Sequence, residues 1–328
     1  MTIFEVIKEK IKAQKQIVKI VFPEGWNKTI ISVANKICKE GLNIKPIVIF
    51  NKRNELPNNV ETLFQPVFIE ETDLSKYANF VYELRKKKNV TLEQAKELVK
   101  KSNFLASTMV AIGEADCEIC GIEYSTADTL RAALQIVRPK DGTKIVCSGF
   151  IMEKDGSRLV FGDSSVNIDP KPEELAEITK SLANFAKNIA LIDEVRIAML
   201  SYSTDGSGKG DSVEKVKKAF AIVNNDNTFT SKYKCFGEIQ FDAAINVDVM
   251  KKKAKKLEWN APANVFVFPN IDAGNIGYKI AQRLGNYQAI GPVIVGLNKP
   301  VNDLSRGANE NDVIQLTYIT ALQAINNN

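Results

Sequence analysis

The chain has 328 residues, 45% hydrophobic and 25% charged, a composition typical of a globular protein large enough for two domains. The lysines behind its net charge of +5 are spread along the sequence, and the basic runs 86–88 and 251–256 predict solvated helix faces rather than a nucleic-acid surface. No apolar run approaches the ~18 residues of a membrane span, and the N-terminus predicts a charged amphipathic helix rather than a signal peptide, so we expect a cytoplasmic protein.

Strand-like apolar runs alternate with amphipathic helices along the whole chain. The runs predicted as strands are 17–23, 44–50, 142–150, 158–163, 195–203, 263–270 and 289–297. Thr91 and Gln94 have capping-box spacing and predict a helix over 91–102. Pro172 opens a second helix, and a third is predicted over 275–285. This alternation indicates an α/β fold with parallel sheets.

The chain contains five cysteines and no histidine. Cys117 and Cys120 have the C-x-x-C spacing of a redox or zinc site, but without a second such pair we interpret them as buried thiols of a strand. Cys38, Cys147 and Cys235 complete a set that a cytoplasmic protein keeps reduced. No cluster with metal-ligand spacing occurs, so we expect no metal. Because the chain has no histidine, a general base must be a carboxylate, a lysine, a tyrosine or a thiolate.

The segment 121–139 predicts a helix that begins after a polar turn. Thr126 or Asp128 can cap it, and Arg131 lies in its first turn. Free backbone amides at a helix start favour an anion. The alternative is a capping aspartate with a surface arginine, and the local sequence leaves both interpretations open.

The segment 201–211, SYSTDGSGKGD, invites comparison with a phosphate-binding loop. Aligning Gly208 and Lys209 with the Walker pattern places Ser203 where the first glycine belongs and Gly210 where the hydroxyl belongs. Both required positions fail, so we do not expect an ATP-binding loop. A strand, a loop of small residues and a helix from about Ser212 are predicted instead.

Two apolar runs near the C-terminus lead into polar turns, VFVFPN into DAGN and GPVIVGLN into KPVNDLSRG. In an open α/β sheet, ligands bind at such turns beyond the carboxyl ends of the strands. The second turn combines Lys299, Asn302, Asp303, Ser305 and Arg306. This density of polar side chains predicts a binding site rather than a simple connection.

A final helix is predicted from Val313 onward, capped by Asn309 or Asn311, with Asp312 in its first turn. An acid at this place can simply complement the helix dipole. The dipole also keeps a carboxylate ionised and lowers its basicity, so Asp312 would act as a base through orientation rather than through a raised pKa.

Several blocks together resemble the phosphate acetyl/butyryltransferase family, and within it the phosphotransacetylases, over nearly the whole chain. These blocks are VFPEG (21–25), GEADCEICG (113–121), SGFIM (148–152), FGDSSVNIDP (161–170), GEIQFDAA (237–244), FPNIDAGNIGYKIAQRL (268–284) and NKPVNDLSRG (298–307). Cys117 and Glu118 are unusual within their block.

The resemblance implies two α/β domains with mostly parallel sheets flanked by helices, similar to isocitrate and isopropylmalate dehydrogenases, with an active-site cleft between them. On this chain it implies a first domain of 1–148 plus 298–328. The second domain, 149–297, would carry a homodimer interface.

The implied reaction is the reversible transfer of an acetyl group between acetyl phosphate and coenzyme A. Implied catalytic residues are Asp312 as base, Ser305 to orient the thiol or intermediate, and Arg306 to stabilise charge. Implied substrate-binding residues are Arg131, Thr126, Thr129, Arg85 and Arg283. Coenzyme A or acetyl-CoA would be a substrate, with no permanently bound cofactor, and the other partners would be phosphate and acetyl phosphate, with no nucleic acid or membrane.

Three alternatives remain open from the sequence. A phosphate butyryltransferase would differ only in the volume of its acyl pocket. A cysteinyl acyl-enzyme would use Cys120 or Cys147, without a histidine to activate either thiol. A catalytically inactive coenzyme A-binding subunit would be favoured by loss of Ser305, Arg306 or Asp312, all of which are present.

Overall fold

The computed structural model describes residues 2–257 and 261–327. Its strands are β1 (Val18–Phe22), β2 (Ile44–Phe50), β3 (Gln65–Phe68), β4 (Cys117–Cys120), β5 (Cys147–Lys154), β6 (Ser157–Gly162), β7 (Arg196–Leu200), β8 (Lys234–Ile239), β9 (Val265–Val267), β10 (Gln288–Val295) and β11 (Val301–Asp303).

The helices are α1 (Ile3–Lys12), α2 (Lys28–Lys39), α3 (Ser75–Arg85), α4 (Leu92–Val99), α5 (Ser102–Ala111), α6 (Thr126–Ala132), α7 (Pro172–Asn188), α8 (Asp211–Asn224), α9 (Asn227–Thr230), α10 (Phe241–Ile245), α11 (Val247–Lys253), α12 (Ile271–Arg283) and α13 (Glu310–Asn327). A π-helical turn, Ala133–Val137, continues α6. None of the helices in the described part of the chain is long and apolar enough to cross a membrane.

The chain divides into two compact units, one formed by Met1–Asp141 with Leu297–Asn328 and the other by Gly142–Gly296. The domain boundaries expected from the sequence, 148/149 and 297/298, lie seven residues and one residue further along the chain, and they stay predictions. β5 pairs with β10 from its first residue, Cys147 opposite Val295.

The first unit contains a parallel sheet with the strand order β11-β4-β1-β2-β3. β1, β2 and β4 are buried almost throughout. Strands that helices cover on both faces are expected to be apolar along their whole length. The Val/Ile-rich runs of β1 and β2 meet that condition.

The second unit contains a sheet with the order β10-β5-β6-β9-β7-β8. β5 pairs antiparallel with β10 and β6, and the remaining pairs are parallel. Its core includes Phe161 and Phe266, whose ring centroids are 5.4 Å apart. The predicted α/β class with mostly parallel sheets is confirmed.

Helix starts follow local capping chemistry. The predicted capping box is present, because Thr91 accepts from the amide of Gln94 and the Gln94 side chain accepts from the amide of Thr91. The predicted start of the third helix at 275 is wrong: α12 begins at Ile271, since the Asn270 side chain accepts from the amide of Ala273. The predicted cap of α6 is also wrong, because Ser125 takes that place and accepts from the amide of Asp128.

Candidate active site

The carboxyl ends of β1, β4 and β11 lie at one edge of the first sheet, because these neighbouring strands run parallel. Glu24 follows β1 and is fully buried. Its carboxylate accepts hydrogen bonds of 2.7–3.2 Å from four consecutive amides, those of Gly121, Ile122, Glu123 and Tyr124. Burial raises the pKa of Glu24, and the four amides oppose that rise. The side chain therefore holds the turn that leads from β4 to α6.

Gly121 permits the close approach of this turn to the end of β11. Its φ is +108°, and a Cβ there would lie 2.3 Å from Oδ1 of Asp303 and 2.8 Å from the amide nitrogen of Leu304. Both the backbone angle and the contact require glycine. The amide of Leu304 donates to the carbonyl of Cys120 at 2.7 Å, which extends the pairing of β11 with β4 by one residue.

Thr126 and Thr129 belong to the start of α6 but lie in different surroundings. Thr126 is exposed, and its Oγ1 donates to Oδ2 of Asp303 at 2.6 Å. Thr129 is 1% exposed, and its hydroxyl donates to the Cys120 sulfur at 3.3 Å. The structure thus brings Thr126 to the end of β11, and the buried Thr129 hydroxyl also lies near the Asp303 carboxyl, whose pKa it lowers.

Ser305 and Arg306 form the exposed turn that follows β11. The Ser305 hydroxyl accepts from the amide of Gly307 at 3.4 Å. Within residues 2–257 and 261–327, the Arg306 guanidinium forms no ion pair. It is therefore a charged group that can receive an anionic ligand without first breaking a bond to the protein.

Asp312 lies in the first turn of α13 and is exposed. Its Oδ2 accepts from the amide of Asn309 at 2.9 Å, and its own amide donates to the Asn309 side chain at 3.1 Å. Asn309 thus caps this helix, and it is one of the two residues, Asn309 and Asn311, that the sequence offers for that place. The reciprocal bonds fix the direction of the carboxylate, and no described residue donates to Oδ1.

The three other arginines of the expected site differ in their partners. Arg85 ends α3, and its Nε is buried without an acceptor among the described residues. Arg131 lies in α6 and pairs with Asp128 at 2.7 Å. Arg283 belongs to the second unit, where it is the exposed last residue of α12. Because a buried donor without a partner is costly, Arg85 Nε would gain from any acceptor that a ligand brings to it.

The loop 201–210 of the second unit connects β7 to α8, as the sequence predicts. The Ser203 hydroxyl donates to Glu238 and accepts from the amide of Gly208. The amide of Gly206 also donates to Glu238, at 2.8 Å. The amides of Ser201 and of residues 203–208 are all bonded within the protein, which differs from the free amides of a phosphate-binding loop.

The cysteines of the first and second units are poorly suited to nucleophilic chemistry. Cys117, Cys120 and Cys147 are buried, and burial raises the pKa of each thiol well above its usual value. All five cysteines are free. No group of three or more potential metal ligands lies together in the described ranges.

Glu118, one residue after Cys117 on β4, is a buried acid that the sequence marks only as unusual. Its Oε2 accepts from the Ser107 hydroxyl at 2.7 Å, while its Oε1 has no hydrogen-bond partner among the described residues. Burial raises the pKa of Glu118 to about 8. The carboxyl is therefore largely protonated at neutral pH.

We expect Glu118→Gln to raise the melting temperature at about pH 9 and to change it little at about pH 5. The folded-state pKa lies above the unfolded value, so this side chain contributes stability below about pH 4, and the contribution is lost as the pH rises through about 8. Glutamine stays neutral and can still accept from Ser107. Thermal melting across this range, with exposed Glu93→Gln as control, measures the effect. Parallel pH profiles for wild type and Glu118→Gln would contradict it.

Glu24, Asp303 and Glu118 are the parts of this edge that sequence reasoning missed as positioning groups. The partners of the first two lie far along the chain: Glu24 bonds amides about a hundred residues away, and Asp303 bonds a hydroxyl 177 residues away. Glu118, inside β4, bonds Ser107, 11 residues away. The available signal was an acid directly at or after the end of a buried strand, at Glu24 in VFPEG and Asp303 in PVND. That signal marks a position but not a partner.

Comparison with known proteins places the chain in a family. The sequence model of the family described as "Phosphate acetyl/butaryl transferase" matches residues 2–321. The chain is 45% identical to the phosphate acetyltransferase of Mycoplasma pneumoniae over 326 residues, which covers 99% of this chain and 100% of that protein. It is 41% identical to the phosphate acetyltransferase of Bacillus subtilis, with 98% and 99% covered.

Solved structures show the same relation. A phosphotransacetylase from Streptococcus pyogenes matches with a TM-score of 0.91 and 42% identity, covering 99% of this chain and 98% of that one. A protein described as a 4-hydroxythreonine-4-phosphate dehydrogenase, from Salmonella typhimurium, matches with a TM-score of 0.52 at 10% identity, covering 95% of this chain and 100% of that one, which shows the fold alone. The dehydrogenase-like fold and the assignment to an acyltransferase family are thus confirmed, and the chain belongs to the phosphate acetyl/butyryl transferase family.

Proposed function

We propose that the chain transfers an acetyl group reversibly between acetyl phosphate and coenzyme A. Family membership supports this reaction, since the relatives at 38–46% identity are described as phosphate acetyltransferases. The observation that carries the proposal in this structure is Arg85. Its buried Nε has no acceptor among the described residues, and its guanidinium is a group that binds phosphate with two-point geometry, which supports a place for Arg85 beside a phosphate group of the substrate.

The chemical step is attack of the coenzyme A sulfur on the acetyl carbonyl of acetyl phosphate. The thiol has a pKa of about 8.5 by analogy with cysteine, so only a few per cent is thiolate at neutral pH. Asp312 takes the thiol proton, the carbon–sulfur bond forms, and the bond between the acetyl carbon and the phosphate oxygen breaks. Phosphate leaves with the electron pair. The unbonded Oδ1 of Asp312, held by the bonds to Asn309, supports its assignment as base.

The other residues of the proposed site bind the substrates and stabilise the charge that develops during the reaction. Arg306 and Arg131 offset the charge that develops on the carbonyl oxygen and on the departing phosphate, and Ser305 orients the thiol. Arg85 and Arg283 hold coenzyme A, which is a substrate rather than a bound cofactor. Thr126 and Thr129 remain expected on the phosphate side of the site, where Thr126 is the exposed residue of the two.

Direct transfer in a ternary complex distinguishes this mechanism from a cysteinyl acyl-enzyme. Varying acetyl-CoA and phosphate together should give intersecting initial-rate lines, whereas an acyl-enzyme gives the parallel lines of ping-pong kinetics. Because the Cys120 and Cys147 thiols are buried with raised pKa values, Cys120→Ala and Cys147→Ala should each retain activity within a few-fold of wild type. Parallel lines, together with loss of activity in either variant, would contradict direct transfer.

Two finer properties complete the proposal. Acetyl-CoA should be preferred over butyryl-CoA in side-by-side rates; the reverse preference would favour a phosphate butyryltransferase.

A cytoplasmic homodimer is proposed through the second unit. Supporting it, α12 and the residue that caps its end expose large apolar side chains four residues apart, Ile276, Ile280 and Leu284, at 57%, 53% and 81% exposure. A monomeric mass in solution at micromolar concentration would contradict the dimer.

A further inference from the structure

Asp303 joins two segments that the proposed site needs in a fixed relation. It is the last residue of β11, is 2% exposed, and lies opposite Cys120 of β4. Its Oδ2 accepts from the hydroxyl of Thr126, the first residue of α6, at 2.6 Å. The Ser305–Arg306 turn begins two residues after Asp303, and Arg131 lies in the helix that Thr126 starts.

We propose that Asp303 is a positioning residue for acyl transfer: its hydrogen bond to Thr126 fixes the start of α6, and with it Arg131, relative to the Ser305–Arg306 turn. This inference rests on the proposed function in one respect, that Arg131 and Arg306 act on the same substrates. Asp303 itself is not assigned a contact with them.

The hydrogen bond also defines what Thr126 can do. A threonine hydroxyl has one proton, and here that proton is directed at Asp303. While Asp303 is ionised, Thr126 can accept a hydrogen bond from a ligand but cannot donate one to a phosphate oxygen. The side chain therefore acts chiefly as the link between α6 and β11.

The surroundings of Asp303 oppose ionisation of its carboxyl group. Stability of the fold alone therefore does not explain an aspartate at this position. Burial, together with the charge of Glu24, raises the pKa of Asp303 to about 6, since the hydroxyls of Thr126 and Thr129 offset only part of the rise. Its Oδ1 lies where a Cβ on Gly121 would come within 2.3 Å of it, and it has no hydrogen-bond partner among the described residues. A buried carboxylate kept in such a place indicates a functional use of its geometry.

The test is a double-mutant cycle with Asp303→Ala and Thr126→Val, measured by kcat and KM for phosphate-dependent cleavage of acetyl-CoA. We expect each single change to lower kcat about tenfold with a smaller effect on KM, because the substrate-binding arginines remain but are misplaced. The double variant should lose no more than the worse single variant, since both changes remove one link. Asp303→Asn and Thr126→Ser keep an acceptor and a donor, so their kcat should lie well above those of Asp303→Ala and Thr126→Val.

The melting temperature distinguishes a role of Asp303 in positioning from a role in folding. At about pH 8, Asp303→Ala and Asp303→Asn remove a buried charge and should melt no lower than wild type while transferring acetyl groups more slowly. Additive losses in the cycle, or a Thr126→Val enzyme with the kcat of wild type, would overturn the proposal. So would a loss of kcat that merely follows a fall in melting temperature.

Failure of the proposed function is recognised separately, in the wild type, as absence of phosphate-dependent thiol release. Amide hydrogen exchange over residues 126–131 then tests the link without catalysis. Asp303→Ala and Thr126→Val should accelerate exchange there, and Thr126→Ser should not. Equal exchange in all variants would overturn the link.

Discussion

Replacement of Arg306 by alanine should lower kcat/KM for the phosphate-dependent cleavage of acetyl-CoA at least about 100-fold, a loss of ~2.7 kcal/mol of transition-state stabilisation. The guanidinium lies in an exposed turn at the end of β11 and has no ion-pair partner among residues 2–257 and 261–327. Its charge is therefore available to the developing oxyanion and to the departing phosphate. Free thiol, followed in initial-rate assays at several phosphate concentrations, measures the effect.

Two further arginine variants show whether the effect is specific. Arg306→Lys keeps the charge but not the two-point geometry of the guanidinium, so most of the loss should remain. Arg53→Ala removes an exposed arginine that pairs with Glu71 and has no assigned role in catalysis, so it should leave the rate unchanged. If Arg306→Ala behaves like Arg53→Ala, Arg306 does not belong to the site.

Asp312→Asn should lower kcat about 100- to 1000-fold with little change in the free energy of unfolding. General-base catalysis accounts for roughly this range, and an amide has no basic lone pair at neutral pH. The same amide can still accept from the Asn309 amide through its oxygen, so the start of α13 stays capped. Rates at saturating substrate and denaturant unfolding of the same preparation give the two quantities.

Comparison with Asp312→Ala distinguishes the role of Asp312 as general base from its role in capping α13. Alanine removes both functions, so it should match Asp312→Asn in rate and cost about 1 kcal/mol more in stability. Glu310→Gln, in the same helical turn, removes an acid that pairs with Lys36 and should keep nearly full activity. A fast Asp312→Asn enzyme beside a slow, unstable Asp312→Ala enzyme would show that Asp312 serves only as a cap.

The sequence predicts those parts of the fold that depend on local periodicity and local caps. β2 matches its predicted range, 44–50, and α7 begins at Pro172 as expected. The capping box of Thr91 and Gln94 also forms within four residues. In each case the partners that decide the structure are neighbours in the chain.

Short strands and the connections between them were harder to predict. β3 and β11 have four and three residues, too few to show a period. The cap of α6 could be assigned to several polar residues in a row, and Ser125 takes it because its hydroxyl reaches the amide of Asp128. Local sequence does not rank such neighbours.

The residues of the candidate site fall into the same two groups, those that the sequence can indicate and those that it cannot. Ser305, Arg306 and Asp312 are proposed from motif resemblance, and they lie in the turn after β11 and at the start of α13. The groups that hold the first unit's turns in place could not be predicted from the sequence. Glu24 bonds the amides of Gly121–Tyr124, and Asp303 bonds Thr126, so each contact exists only once the parallel sheet has brought distant strand ends to one edge.

The most direct test of the proposed function follows both products of the wild-type reaction. Acetyl-CoA incubated with phosphate should yield free coenzyme A thiol and acetyl phosphate in equal amounts, and neither product should form when phosphate is omitted. Thiol release that does not require phosphate would show a hydrolase, and no release from acetyl-CoA or butyryl-CoA would leave a coenzyme A-binding subunit. Either result would contradict acyl transfer to phosphate by this chain.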